Sequence, residues 1–338
     1  MSEHYPLPMG SKEHWKPDPD ITISNFNLRF HRFQAYPYMW NFKNSSGADQ
    51  KSDVWKKILE DGNIACQNDE ILSFLNRLRE NNRLTASSFR PSGMREISLK
   101  LASSMSLGSS ESSALETGIL LHPLYGVPYI PSSSIKGVLR NRMFTTLADK
   151  WNIYFSSLDE LIAARKNRRM TAVNIFESYL MLENPHIMKE DEISRLDDQW
   201  LEFCIEQGWE DNVDWREVWK SAKLYRYCFS PQKNHEKLIF FDAFPDPGEK
   251  PVNLFALDII NPHYSEYYSS NENPLPPADY LSPIPNKFLV VRKGISFVFQ
   301  INCKKEKFAD ILLSELKDCL CENGIGSKTS LGYGLFSE

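Results

Sequence analysis

The stretch Gly324-Ile-Gly-Ser-Lys-Thr-Ser-Leu-Gly-Tyr-Gly334 sets four glycines around Lys328 and the hydroxyls of Ser327, Thr329 and Ser330. Glycine lets the backbone take positive φ and bring bare N–H groups close to an anion, and a lysine adds a point charge. That is phosphate chemistry. The spacing is not the G-x-x-x-x-G-K-[ST] of nucleotide-binding loops, and a helical pattern precedes this loop where that motif needs a strand. The expected guest is therefore a polynucleotide phosphate rather than a nucleoside triphosphate. The same glycines also suit a plain tight reversal of the chain, and the loop alone leaves both readings open.

A second constellation lies at Tyr129-Ile-Pro-Ser-Ser-Ser-Ile-Lys-Gly-Val-Leu-Arg140. The prolines at 123, 128 and 131 hold an extended path, and Ser132, Ser133 and Ser134 are then placed to cap a helix whose Ile135, Val138 and Leu139 face inward. Lys136 and Arg140 stand at i and i+4, on one face near the helix start. Free N–H groups, the positive end of the helix dipole, hydroxyls and two cations would converge there on a phosphate. No Glu or Gln occupies the third helical position, so this is not a structural capping box.

Hydrolytic chemistry has four candidates: His122 or His263 as a general base, and Asp258 and Asp279 as metal ligands. Each has a packing alternative. His122 precedes a proline, His263 lies in a tyrosine-rich loop, and Asp258 sits within an apolar strand.

These residues need a scaffold, and the periodicities supply one. Residues 1–20 carry no periodic pattern and read as a loose arm. From Asn25 to Phe42 aromatic and basic residues mingle: Phe30, Phe33 and Tyr36 either stack on bases or plug a core while Arg29, His31 and Arg32 point outward. Two helices follow, one with Trp55, Ile58 and Leu59 on a face, the other from about Glu70 to Glu80 with Ile71, Phe74, Leu75 and Leu78 in register. Ile97, Leu99 and Leu101 alternate as a strand.

Residues from about 150 to 230 read as a helical insertion, with Ile193, Leu196, Trp200 and Phe203 on one face and Trp215, Val218, Trp219 and Ala222 on the next. The excess of acid between Lys189 and Glu217 suits either a protein neighbour or a solvated face. The run Arg165, Lys166, Arg168 and Arg169 is a solvated face or a basic patch. Leu238–Phe241 and Leu254–Ile260 read as strands either side of the turn Pro245-Asp-Pro-Gly248. The Pro- and Tyr-rich stretch 261–286 reads as a functional loop. Ile295, Phe297, Phe299 and Ile301 make a strand. A helix from about Lys304 to Cys321 then buries Phe308, Ile311, Leu312, Leu316 and Leu320, and Tyr333–Phe336 forms a closing strand.

With 41% apolar and 25% charged residues the 338-residue chain is of globular composition. No apolar run reaches membrane-span length, and Met1 to Lys16 is polar with no signal-peptide core, so the expected address is the cytoplasm. The six cysteines show no C-x-x-C pair and no histidine at ligand spacing, so neither a metal site nor a cofactor is expected. A net charge of −5 argues against indiscriminate polyanion binding but permits a local basic track.

The two motifs together, Tyr129 to Gly137 and Gly324 to Gly334, resemble the RAMP superfamily of CRISPR proteins, whose members share a P-G-S-S-[IL]-K-G segment and a C-terminal glycine-rich loop. Ser132 stands where that segment has its usual glycine. Glu116-Thr-Gly, His122-Pro-Leu-Tyr-Gly-Val-Pro, Asp258, Asn261-Pro-His-Tyr264 and Pro276-Pro-Ala-Asp279 resemble one branch of it, the sixth-subunit branch of the Cmr (type III-B) effector. The resemblance covers roughly residues 90–338. It implies an α+β protein with a ferredoxin-like (RRM-like) core at 91–338, interrupted by a helical insertion at about 150–232 and preceded by an arm and helical extension at 1–90. It implies a non-catalytic subunit holding the backbone of the 3′ part of the guide RNA near one end of a filament, with an RNA endonuclease of the same superfamily as the alternative. The implied partners are guide and target RNA, other Cmr-type RAMP subunits and the small helical subunit. The implied RNA contacts are Ser132, Ser133, Ser134, Lys136, Arg140, Gly324, Gly326, Ser327, Lys328 and Thr329.

Overall fold

The computed structural model describes residues 3–4, 25–33, 36–37, 51–67, 69–89, 91–109, 117–151, 172–181, 198, 215–229, 238–246, 253–261 and 285–338. From residue 51 onward its main elements in chain order are α1 (Lys51–Cys66), α2 (Asp69–Phe89), β1 (Met94–Leu101), α3 (Ser132–Lys150), α4 (Ala172–Met181), α5 (Trp215–Ser221), α6 (Lys223–Phe229), β2 (Leu238–Phe240), β3 (Phe244–Pro245), β4 (Phe255–Ile260), β5 (Asn286–Val291), β6 (Ser296–Cys303), α7 (Glu306–Glu322) and β7 (Phe336–Ser337). The loop 262–284, the basic run at 165–169, the helix expected at 193–203 apart from residue 198, and most of the acidic block lie outside the described residues, as do Glu116, His263 and Asp279.

The central sheet has the order β2-β6-β1-β7, every pairing antiparallel, with β3 also paired to β6. β1 and β6 run opposite each other from Met94↔Asn302 to Lys100↔Ser296. Period-2 alternation sends Leu99, Leu101, Phe297, Phe299 and Ile301 to one face, all buried. On that face lie α3 and α7, which touch where the Cys319 thiol meets the Val138 carbonyl and Arg142 pairs with Glu322 at 2.7 Å. The α7 stripe is Ala309, Leu312, Leu316, Cys319 and Leu320. Ile311, expected inside, is 46% exposed because the small residues Ala309 and Cys319 complete the stripe and turn Ile311 outward.

The opposite face is covered by α2, which runs nine residues past the predicted end at Glu80. Arg79 reaches Glu96 on β1 at 2.6 Å and Asp246 at 3.2 Å, and Gln300 donates to Glu96 at 2.7 Å. Asn302, fully buried, donates to the Ala86 carbonyl at 2.8 Å. Burial alone would raise the Glu96 carboxyl. The hydrogen bonds from Arg79 and Gln300, with the charges of Arg79 and Arg83, outweigh it and hold the group below the ordinary carboxylate range.

A second, two-stranded sheet pairs β4 with β5. Its outer edge is capped by Asn63 of α1, whose side-chain amide accepts from the Phe255 N–H and donates to the Phe255 carbonyl, imitating a neighbouring strand. Phe26 is buried against Phe255 and Phe30 is buried beside Phe26, which answers in favour of core packing for Phe30. The turn expected at Pro245-Asp-Pro-Gly248 opens with the short strand β3, hydrogen-bonded onward by the Asp246 N–H to the Ser296 carbonyl. The closing strand is Phe336–Ser337, beginning three residues later than the expected Tyr333–Phe336 and ending one residue later.

Candidate nucleic-acid interface

The glycine loop begins where α7 ends and is stitched to the segment after β1. The Ser327 N–H donates to the Ser106 carbonyl at 2.7 Å, the Gly334 N–H to Ser104 at 2.9 Å, and the Ile325 N–H to Gly334 at 3.0 Å. Two glycines have internal reasons. A Cβ on Gly334 (φ +73°) would stand 2.0 Å from the Ile325 carbonyl oxygen, and one on Gly326 (φ +105°) 2.5 Å from that of Ser106. The tight-reversal reading therefore accounts for these two.

It does not account for Lys328. Among the described residues Lys328 alone is a non-glycine with positive φ, at φ 63° and ψ 29°. A left-handed backbone costs an L-residue about 1–2 kcal/mol. This geometry opens the 3-10 turn Thr329–Leu331, whose Thr329 and Ser330 N–H groups have no acceptor among the described residues. The ammonium lies 5.9 Å over the ring of buried Phe288 and enters no ion pair among the described residues. The loop is pinned on its other side by Tyr333, whose hydroxyl donates to Asp258 on β4 at 2.8 Å. Burial first, then that carboxylate, push the Tyr333 phenol up to about 12.

At the start of α3 the structure corrects the serine cap. The N-cap is Pro131, which has no capping side chain, and Ser132 is the first helical residue. Its N–H donates to Asp242 at 2.6 Å, so a carboxylate from the chain itself, 110 residues away, supplies the anion at this helix end. Ser133 and Ser134 are exposed. Lys136 is exposed and enters no ion pair among the described residues, whereas Arg140 is bound by Glu177 and by the Tyr225 hydroxyl at 3.3 Å. Gly137 is a residue that reasoning about charges passed over. It stands inside a helix, where glycine is less stable than alanine by about 0.8–1 kcal/mol, and a Cβ there would meet nothing within 4 Å. Among the described residues no internal contact explains it.

The structure thus assembles the glycine loop with Asp258 and Phe288 on one side and Ser104–Ser106 on the other. It ties α3 to α7, from which that loop emerges, through Val138 and Arg142. Of the hydrolytic candidates, His122 is half-buried, stacked on Tyr125 at 4.3 Å, and its Nδ1 accepts the Leu124 N–H at 3.3 Å. Burial holds the imidazole below its ordinary value, with Asp242 offsetting part of the effect. Asp258 is engaged twice, by Tyr333 and by the Ile259 N–H. Among the described residues no three His, Cys, Asp or Glu gather as metal ligands, and no helix is long and apolar enough to cross a membrane.

A mixed helical and antiparallel-sheet protein with a glycine-rich C-terminal loop is the class defined so far. Residues 98–337 match the family model of the RAMP superfamily, and the chain belongs to that superfamily. It is 33% identical over 247 residues to the CRISPR system Cmr subunit Cmr6 of Pyrococcus furiosus, a match spanning 71% of this chain and 66% of that protein. It is 30% identical over 109 residues to the corresponding Cmr6 of Saccharolobus solfataricus, spanning 32% of this chain and 34% of that one. The crystal structure of Cmr6 from Pyrococcus furiosus aligns at a TM-score of 0.37 and 28% identity, covering 73% of this chain and 98% of that one.

Proposed function

We propose that the chain is a non-catalytic subunit of a Cmr-type, type III-B CRISPR effector that holds the sugar-phosphate backbone of the 3′ part of a guide RNA. Its core reads as ferredoxin-like: β1, α3, β2, β6, α7 and β7 follow the strand-helix-strand-strand-helix-strand order, with β2-β6-β1-β7 as the spatial order. On this reading α1 and α2 are an N-terminal extension and α4 to α6 belong to an insertion. Other RAMP subunits, the small helical subunit and target RNA are the further partners. Backbone contact is indifferent to sequence, which suits a protein serving guides of changing sequence.

The observation that carries the reading is Lys328, a cation without an ion-pair partner among the described residues, held in a left-handed backbone at the head of a loop closed against two sheets. Strain of this kind concentrates at functional sites. Gly137, next to the exposed Lys136, supports it, since a missing side chain on an open helix surface lets a ligand backbone approach. Ser132 offers its hydroxyl only, its N–H being taken, and Arg140 would contact RNA while shared with Glu177.

Filter binding tests this with two RNAs of unrelated sequence. The Lys136→Ala/Lys328→Ala double variant should lose affinity for both by the same factor. Unchanged affinity sinks the phosphate seat. The endonuclease reading has less support, because His122 and Asp258 are occupied by packing and hydrogen bonds. Cleavage of labelled RNA with Mg²⁺ that His122→Ala abolishes would establish it instead.

A further inference from the structure

Three cations crowd a corner at the opposite end of the segment that stitches the glycine loop down. The turn joining β5 to β6 is closed by the Ile295 N–H donating to the Arg292 carbonyl at 3.4 Å, and Gly294 at φ +90° permits it. Arg292 and Lys293 take the first two places of this turn. Lys100, at the end of β1, comes up beside it: a Cβ on Gly294 would lie 3.8 Å from the Lys100 Cε. All three side chains are exposed, and none enters an ion pair among the described residues. Among the described residues, the two carboxylates on the adjoining chain are engaged elsewhere. Asp246, beside Ser296, is held by Arg79, and Glu338, beside Ser337, by Lys317.

In a chain of net charge −5, three adjacent cations with no counter-charge among the described residues repel one another and favour an anion with several acceptors. We infer that Lys100, Arg292 and Lys293 form a second seat for the RNA backbone, continuing the track that begins at the glycine loop. The inference rests on the RNA-holding reading above. What favours RNA over an acidic protein is alignment. From Lys100 the chain runs directly to Ala102, whose N–H meets Leu335, then to Ser104 and Ser106, which hold Gly334 and Ser327. Six residues of extended chain span at most about 20 Å. At about 3.4 Å per nucleotide of one helical strand, that is about six nucleotides of RNA. One continuous backbone reaches both cation groups.

The test uses the full chain, with Lys100→Ser/Arg292→Ser/Lys293→Ser compared against Lys136→Ala/Lys328→Ala, on single-stranded RNAs of about four and about fourteen nucleotides. Surface cations of this kind leave the fold intact, which the thermal transition checks. For the long RNA the corner variant should flatten the slope of log affinity against log salt by about 2, from 0.7 per phosphate contact. The salt-induced loss between 50 and 200 mM should then shrink about 20-fold, while binding of the short RNA is unchanged. If the Lys136/Lys328 variant loses long-RNA affinity and the corner variant does not, the second seat is refuted and the glycine-loop reading stands. If neither variant changes binding, or the unaltered chain binds no RNA at low salt, both fail. If the corner variant binds RNA normally but no longer assembles with its protein neighbours, the corner serves an acidic protein and the inference is wrong.

Discussion

Replacing Lys328 by glycine and by alanine separates backbone strain from charge. At φ 63° and ψ 29° the native lysine lies in the left-handed region, as an alanine at the same position would. Relief of about 1–2 kcal/mol of left-handed strain, set against about 0.5–1 kcal/mol of extra chain entropy for glycine, leaves Lys328→Gly more stable than Lys328→Ala by about 0.5–1 kcal/mol. Urea denaturation at constant m reads this as a higher midpoint. Both variants lose the ammonium, so both should lose RNA affinity equally, with the salt slope reduced by about 0.7 each. A glycine variant no more stable than the alanine one refutes the strain. Full RNA affinity in both refutes a phosphate contact at Lys328, whatever their stabilities.

Gly137→Ala should raise stability by about 0.8–1 kcal/mol through helix propensity and yet weaken RNA binding, since the new Cβ meets only the incoming backbone; urea melts and filter binding check the two signs. Arg79→Ala removes the hydrogen-bonded charge joining α2 to Glu96 and Asp246 and should cost about 2 kcal/mol in urea unfolding. Gly334→Ala, whose Cβ would fall 2.0 Å from the Ile325 carbonyl, should destabilise by about 2 kcal/mol or more and loosen the loop, seen as faster amide exchange at Ile325 and Ser327. Because the folded state holds the Glu96 carboxyl below its ordinary 4.5, its contribution is complete above that pH and is lost as pH falls through the folded value. Urea melts between about pH 6 and 3 should show the native chain losing its advantage over Glu96→Gln.

Much of this architecture was legible because its signals are local. The alternation in Ser296–Cys303 sorts its apolar side chains to one face of the sheet, the 3.6-residue stripe of α7 buries one side of that helix, and period alone reveals both. What escaped was non-local. The last turns of α2, Asn81 to Phe89, carry almost no apolar periodicity and are held by Arg83 and the Ala86 carbonyl against the sheet. Asp242 as the cap of α3 is a contact across 110 residues, invisible to a rule that looks for capping side chains at the helix start. At the candidate site, residue types pointed to the glycine loop and to Lys136. They did not reveal that Ser132 and Arg140 have partners within the chain, or that Lys328 is left-handed.

The most direct measurement is ultraviolet cross-linking of the full chain to bound guide-type RNA, followed by mass spectrometry of the attached peptides. An RNA backbone seated on the glycine loop predicts adducts on the peptide containing Lys328 to Tyr333 and on the peptide opening α3. Adducts confined to other parts of the chain, with both these peptides recovered unmodified, would contradict it.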